Sequence, residues 1–426
     1  MKEDFLHFIW KFQYFDHQQL LTENNEVVQI KSSGLLNHNA GPDFLNATVV
    51  IDGIVWNGNI EIHVRSSDWY RHKHEQDSAY ESTVLHVVWE HDKDICYADD
   101  TKIPVLSLKD KTPSFLLSRY EEIIASLSPI PCQAHLGNIE DFVFVQTFEK
   151  ALIQRLEQKA NQVKTLLVNN GGDWRETTYQ LLAQNMGFKV NKDSFLNLAQ
   201  KTKYSYVQKH IDQSHQVEAF LFGQSGLLPS KSVDDYTEKL QKEYTFLKQK
   251  YQLKPLTSVS WKFMRMRPAN FPTIRIAQFA AILQKREDLF SKLIELEPIS
   301  DYISFFQLNT STYWDTHYRF GDKKEYGKKS LGKESIYNVL INTVAPLLAC
   351  YAIEKDKATY MDRAISLLEA VPAEQNKITR LWKKNGIKFN NAANTQAAIQ
   401  LFNDSCYHKK CLECTVGYSI LKKNDK

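Results

Sequence analysis

The sequence predicts an α/β domain at the N-terminus followed by a mainly α-helical C-terminal region. Three observations carry that prediction. Short β-like runs separated by turn signals fill residues 26–110, and segments of helical period dominate after about residue 113. Between them, Pro129 and Pro131 stand in the change-over "SLSPIPCQAHLGN", a plausible boundary. We therefore expect an α/β domain over residues 1–130 and a helical region over 131–426 with room for two subdomains.

The elements follow in order. Residues 3–13 place Phe5, Phe8, Ile9 and Phe12 on one side of a short helix. The runs "EVVQIKSSG", "FLNATVVIDG", "IVWNGNIEIHVR", "TVLHVVWEHD" and "IPVLSLKD" read as strands, and Asp52-Gly53 and Asn57-Gly58 are hairpin signals. Residues 66–82, "SSDWYRHKHEQDSAYES", are long enough for a crossover with one or two helical turns. The expected order is helix, three strands, crossover, two strands. Beyond the boundary, 142–168 and 233–251 have helical period, and 335–354 is apolar nearly all round, as a central helix is. "LFGQSGLLP" at 221–229 lacks the Gly-Lys-Ser/Thr ending of a phosphate loop and reads as a helix stop and turn.

Composition narrows the function classes. Of 426 residues 43% are hydrophobic, enough for a core and too many for a disordered chain. With 53 Lys+Arg against 50 Asp+Glu, the net charge of +3 decides no partner. No apolar run approaches the roughly 20 residues of a membrane helix. The N-terminal "MKEDFLHFIWKFQYFDHQQLL" is charged from its start, unlike a signal peptide. Six Cys in so long a chain do not suggest a secreted disulfide scaffold, so the expected location is cytoplasmic, with no membrane association.

The stretch "GPDFLNATVVIDGIVWNGNIEIHVR" at 41–65 carries the chemistry. On a strand, Glu61, His63 and Arg65 point to one face and Ile60, Ile62 and Val64 to the other. Asp43 opens the preceding strand, and a hairpin turn at about 52–58 brings it beside Glu61. Two adjacent carboxylates repel unless a proton or cation intervenes. A hard divalent cation such as Mg²⁺ suits two carboxylates, a backbone carbonyl and several waters. His38, His63, His72, His74, His86 and His91 fall within 54 residues of a chain with 13 His, a density that suggests metal binding or proton transfer. A zinc hydrolase is the competing reading, but no HExxH spacing is present. The bland alternative is a surface hairpin with ordinary solvated pairs.

This pattern resembles the PD-(D/E)xK nuclease superfamily. Pro42-Asp43 is followed after 17 residues by Glu61-Ile62-His63, and the predicted strand order agrees with that family's restriction-endonuclease-like core. The resemblance implies that Asp43 and Glu61 hold Mg²⁺ or Mn²⁺, that the carbonyl of Ile62 is a third ligand, and that His63 takes the place of the usual Lys. It also implies a helical Glu upstream, for which Glu3 is the candidate. His74 and His86 are auxiliary candidates. The departure is His63, which accepts a proton or ligates a softer metal but is a weaker fixed cation than Lys. The expected function is metal-dependent phosphodiester hydrolysis on nucleic acid. The alternative is a non-catalytic scaffold, derived from a nuclease fold, that binds nucleic acid or protein. Through "GPDF", "EIHVRSSDW", "LHVVWEHD", "RPANFPTIR" and the Cys-rich tail, nearly the whole chain also resembles an uncharacterised family of conserved bacterial proteins, which implies no particular mechanism.

Two further features stand out. The tail "CYHKKCLEC" places Cys406, Cys411 and Cys414 in a C-x4-C-x2-C spacing that suits zinc or an iron–sulfur cluster. Cys132, His408 and Cys350 are candidates for the fourth ligand, and reduced structural thiols are the alternative. "WKFMRMRPANFPTIR" at 261–275 holds Lys262, Arg265, Arg267 and Arg275 with interleaved aromatics and no acid, and residues 377–426 hold ten Lys+Arg against three Asp+Glu. Such patches suit phosphate backbones and stacked bases, although basic helical faces and Arg–aromatic packing are also ordinary.

Overall fold

The computed structural model describes residues 2–257, 260–285 and 288–423. The chain forms two compact units: residues 1–147 with 401–426, and residues 148–400. The expected boundary near 130 thus lies further on, and the tail belongs with the N-terminal unit rather than the helical one. Local contacts give the reason. In the last helix, Thr415–Lys422, Tyr418 packs on Phe8 and Phe12 and hydrogen-bonds Tyr14, while Arg119 donates to the carbonyl of Ile420 at 3.0 Å.

The first unit is mixed α/β. Helix α1 (Glu3–Phe12) buries Phe5, Leu6, Phe8, Ile9 and Trp10, each worth about 1.5–3 kcal/mol as a fully buried apolar side chain. Phe12, expected on the buried side, is 39% exposed and stacks at the surface with Tyr14. A six-stranded curled sheet follows: β1 (Val28–Ser32), β2 (Leu35–Leu36), β3 (Phe44–Ile51), β4 (Ile54–Arg65), β5 (Thr83–Glu90) and β6 (Val105–Ser107). Its order is β1-β3-β4-β5-β6, with the two-residue β2 also on β3. Pairings are antiparallel through β4 and parallel from β4 to β6.

Of the two hairpin signals, only Asp52-Gly53 makes the turn, with both residues at positive φ (46° and 82°). Asn57-Gly58 lies inside β4, paired with Thr48 and Ala47. Glycine is needed there for a different reason: a Cβ at Gly58 would sit 2.5 Å from the Ser82 carbonyl at the entrance to β5.

The crossover from β4 to β5 contains α2 (Asp68–Arg71) and two 3₁₀ turns, His74–Gln76 and Ser78–Tyr80. Trp69 pins it in a core with Tyr80, Val88, Ile95, Ile103 and Val105. Asp92 holds its start, accepting from the Ser67 backbone at 2.8 Å and the Ser66 hydroxyl at 3.0 Å.

The second unit is mainly helical, including Asp235–Tyr251 and most of the helix Asp141–Asn169. The helix Ser214–Ser225 stops at Gly226 in the left-handed region (φ 70°), as "LFGQSGLLP" led us to expect. The expectation that no apolar run approaches membrane length is corrected by Lys333–Lys355, 23 residues long and apolar enough by composition. Of its apolar window 72% is buried inside the protein, as a core element's would be.

Candidate metal and catalytic site

The β3–β4 hairpin fixes the two carboxylates. Phe44 pairs with Ile60, so Asp43 and Glu61 fall side by side on antiparallel strands. They are laced through the backbone: Asp43 N–H donates to Glu61 Oε2 at 3.1 Å, and Ile62 N–H donates to Asp43 Oδ2 at 3.0 Å.

Around them stands a ring of histidines. On parallel β5, His86 pairs with Glu61, so it shares the face of Glu61 and His63. His63 Nδ1 is 2.8 Å from His86 Nε2, and His63 Nε2 is 3.0 Å from Nδ1 of His72 in the crossover. His74, stacked on Tyr80 at 3.8 Å between ring centroids, brings Nε2 to 3.2 Å from Glu61 Oε1. His63 Nε2 lies 3.5 Å from the same oxygen and 4.0 Å from Glu3 Oε1. One ligand atom from each of His63, His72 and His74 lies within 4.8 Å of the others.

Burial sets the charges. Glu61 is 4% exposed and His63 1%. Burial, then the neighbouring Asp43, pushes Glu61 up to about 9. Burial, then the cations that His86, His74, His72 and Arg71 would present, pushes His63 down to about 2. Burial likewise brings His86 to about 3 and lowers His72 and His74, while Glu3 is raised by burial and by Asp43. At neutral pH the site therefore offers neutral imidazoles converging on a carboxyl that prefers its proton. Nε2 of His74 is buried without an aligned hydrogen bond, although a carboxylate oxygen is in reach. Ligand atoms of His63, His72 and His74, with Glu61 Oε1 beside them, could hold a metal ion, so the donor set fits one.

His7 behaves differently. It lies one helical turn from Glu3, with Nε2 3.2 Å from Asp43 Oδ2. Burial opposes its charged form, but the adjoining Asp43 carboxylate and the charges of Glu3 and Asp4 outweigh it and raise its pKa.

Asp43, Glu61, His63, Glu3, His74 and His86 thus come together. Ile62 is buried in β4, and its N–H is what engages Asp43. His38 is exposed and His91 pairs with Asp94 at 3.3 Å, so neither joins the cluster. His7 was missed, although the i, i+4 spacing with Glu3 on α1 was a usable signal. His72 was counted in the histidine density but given no role.

The basic stretch divides. Lys262, Arg265 and Arg267 are exposed. Arg275 is 4% exposed; its guanidinium donates to Gln278, Asn270 and Ser335 at 2.9, 2.6 and 3.0 Å and stacks on Phe188, and burial lowers its pKa to about 10. It is a structural group rather than a free phosphate contact. The aromatics are also occupied: Trp261 donates to the Ser225 carbonyl at 2.8 Å, and the Arg319 guanidinium lies against the rings of Phe263 and Phe271. Cys132, Cys406 and Cys411 are buried in the first unit, His408 is exposed, and Cys350 is a core residue of the second unit.

No curated protein and no solved structure matches the chain. A family model matches residues 3–377. The chain accordingly belongs to the family described as "Protein of unknown function (DUF2851)".

Proposed function

We propose that the protein is a metal-dependent phosphodiesterase acting on nucleic acid, with the metal held by Glu61, His63, His72 and His74 and with Asp43 on its acidic side. The observation that carries this is the convergence of three imidazole nitrogens within 4.8 Å of one another beside Glu61. The order of elements supports it: a helix, an antiparallel hairpin bearing Asp43 and Glu61, a crossover and a parallel strand, as in the PD-(D/E)xK resemblance. Imidazole donors favour Mn²⁺ or zinc over Mg²⁺, which prefers all-oxygen surroundings. Of the two ions expected, Mg²⁺ and Mn²⁺, Mn²⁺ is therefore the first to try. Such an ion, when bound, polarises a phosphoryl oxygen and acidifies bound water.

The chain's own residues divide the remaining work. His63, with Nδ1 held by His86 and its charged form suppressed, is suited to offering Nε2 to an ion rather than carrying a proton. His86 orients it. His7, whose pKa is raised and whose Nε2 lies 3.2 Å from Asp43, is the group suited to accept a proton. Exposed Lys262, Arg265 and Arg267 supply sequence-independent attraction for phosphates.

The test follows labelled single- and double-stranded DNA and RNA with Mn²⁺, Mg²⁺, zinc or chelator. Cleavage that needs metal and disappears in Asp43→Ala and Glu61→Ala is expected. Binding without cleavage under every condition would favour the scaffold, and cleavage surviving both substitutions would place the chemistry elsewhere.

A further inference from the structure

The second unit carries a cavity of about 470 Å³, within the usual size range of a small-molecule site. It is walled by the turn after the helix Trp174–Met186, by the basic stretch at 265–270, by the start of the helix Pro272–Leu283 and by Glu334, Ser335 and Asn338. Asn191 ties the turn to the basic stretch: its amide donates to the Lys262 carbonyl at 3.0 Å, and its side-chain oxygen accepts from the Lys262 N–H at 2.9 Å. Gly187 lets the turn close, since a Cβ there would sit 2.4 Å from the Asn191 carbonyl oxygen. Phe188 and Arg265 line the cavity at φ 48° and 58°, in the left-handed region that bulky side chains rarely take. Backbone of this kind is costly and collects at binding sites.

Four cations line this space, Lys189, Arg265, Arg267 and Arg275, against one carboxylate, Glu334. Lys189, Arg265 and Arg267 are exposed, and no ion pair among the described residues engages them. Arg275 is the buried member. Its Nη atoms are committed to Gln278, Asn270 and Ser335, but its Nε is buried with no hydrogen-bond partner among the described residues. A charged donor left unpaired in the interior is costly and calls for an acceptor. Arg275 stands in the first turn of Pro272–Leu283, whose dipole adds its positive end. The rest of the lining differs in kind: Met186, Phe195 and Met266 are apolar, and Asn338 supplies a side-chain amide.

We propose that this cavity binds a nucleoside monophosphate, free or as the phosphorylated end of a strand. The phosphate monoester lies among Lys189, Arg265 and Arg267, Nε of Arg275 donates to an oxygen of the same ligand, and the base rests on the apolar wall with Asn338 at its edge. An anion relieves the mutual repulsion of the cations, and an acceptor satisfies Nε. The cavity has more room than an inorganic phosphate fills, and its apolar wall offers a bare phosphate nothing. Every residue involved belongs to the second unit, so the proposal does not depend on the phosphodiesterase reading of the first.

The test is calorimetry on the full chain carrying Asp43→Ala and Glu61→Ala, in chelator, so that the histidine cluster neither hydrolyses nor holds metal. The probes are adenosine, guanosine, cytidine and uridine 5′-monophosphates, the matching nucleosides, inorganic phosphate, and a short oligonucleotide with a 5′-phosphate or a 5′-hydroxyl. Saturable binding of about one monophosphate per chain is expected for at least one base, with its nucleoside and inorganic phosphate about tenfold weaker or more. Arg275→Ala can fail to fold, so the exposed positions carry the test: Arg265→Glu and Arg267→Glu should each lower affinity about 10–100-fold with an unchanged thermal melt. Displacement of the nucleotide by the 5′-phosphate strand and not by its hydroxyl form places a strand end in the cavity, and displacement by neither assigns it to free nucleotide. Equal displacement by both makes it a general backbone contact and overturns the proposal. So do no saturable binding of any monophosphate, inorganic phosphate binding as tightly as the best nucleotide, or unchanged affinity in both Arg variants.

Discussion

His63 and His86 face each other across parallel strands with Nδ1 and Nε2 2.8 Å apart. Two neutral imidazoles at that distance share one proton. If His63 gives its Nε2 lone pair to a metal, its Nδ1 keeps the proton and donates it to His86. His86 thereby fixes the tautomer and the ring plane of His63. Replacing it should weaken metal binding without removing any ligand. His86→Ala is expected to lose about 10–100-fold in Mn²⁺ affinity, read by calorimetry. Unchanged affinity would make the contact mere packing.

His7 and His63 should separate by function. His7→Ala is expected to slow cleavage on the order of 10²–10⁴-fold, the scale of general acid–base help, with Mn²⁺ affinity nearly unchanged. His63→Ala should lose metal binding itself. The reverse assignment, with metal retained in His63→Ala and lost in His7→Ala, would make His63 the proton carrier.

The exposed cations should act through phosphates alone. Arg265→Ala and Arg267→Ala should weaken nucleic-acid binding equally across sequences and lower the salt slope by about 1 each. Arg275→Ala should instead lower the melting temperature, because it leaves Gln278, Asn270 and Ser335 without their shared donor. Salt titration of filter binding and a thermal melt distinguish the two effects.

Lys159 gives a pH signature in the second unit. Burial, then the charge of Arg155, lowers its pKa from 10.5 to about 7, even though its Nζ donates to Ile341 O, Asn342 Oδ1 and Gln396 Oε1 at 3.2, 3.1 and 2.8 Å. Between those two values the unfolded chain binds the proton that the folded chain releases. Unfolding free energy should therefore rise with pH across that window, by up to about 1.4 kcal/mol per pH unit, and level off outside it. Denaturant titrations of wild type and Lys159→Met should differ by that slope. Parallel curves would show that Lys159 stays charged in the fold.

Gly58→Ala tests the sheet. The added methyl meets the Ser82 carbonyl at 2.5 Å and the Val84 side chain, and a backbone oxygen yields poorly. A loss of about 1–3 kcal/mol is expected from a thermal or urea melt. A neutral outcome would mean that β5 starts further from β4.

Much of the N-terminal unit was legible because its signals are local. Period-2 runs and the Asp52-Gly53 turn set the hairpin, and the hairpin sets Asp43 against Glu61. Asn57-Gly58 misled because the same dipeptide serves a close strand approach as well as a turn. His72 and His74 reach the site through α2 and a 3₁₀ turn, whose exits no periodicity marks. The burial of Arg275 and the return of the tail to the first unit are tertiary facts with no local trace.

The most direct test of the metal site is anomalous diffraction from a crystal of the full chain soaked in Mn²⁺. The account predicts a manganese peak within bonding distance of Glu61, His63, His72 and His74, with His86 on the far side of the His63 ring. No peak among these residues at saturating Mn²⁺, with His63 and His72 still hydrogen-bonded to each other, would contradict it.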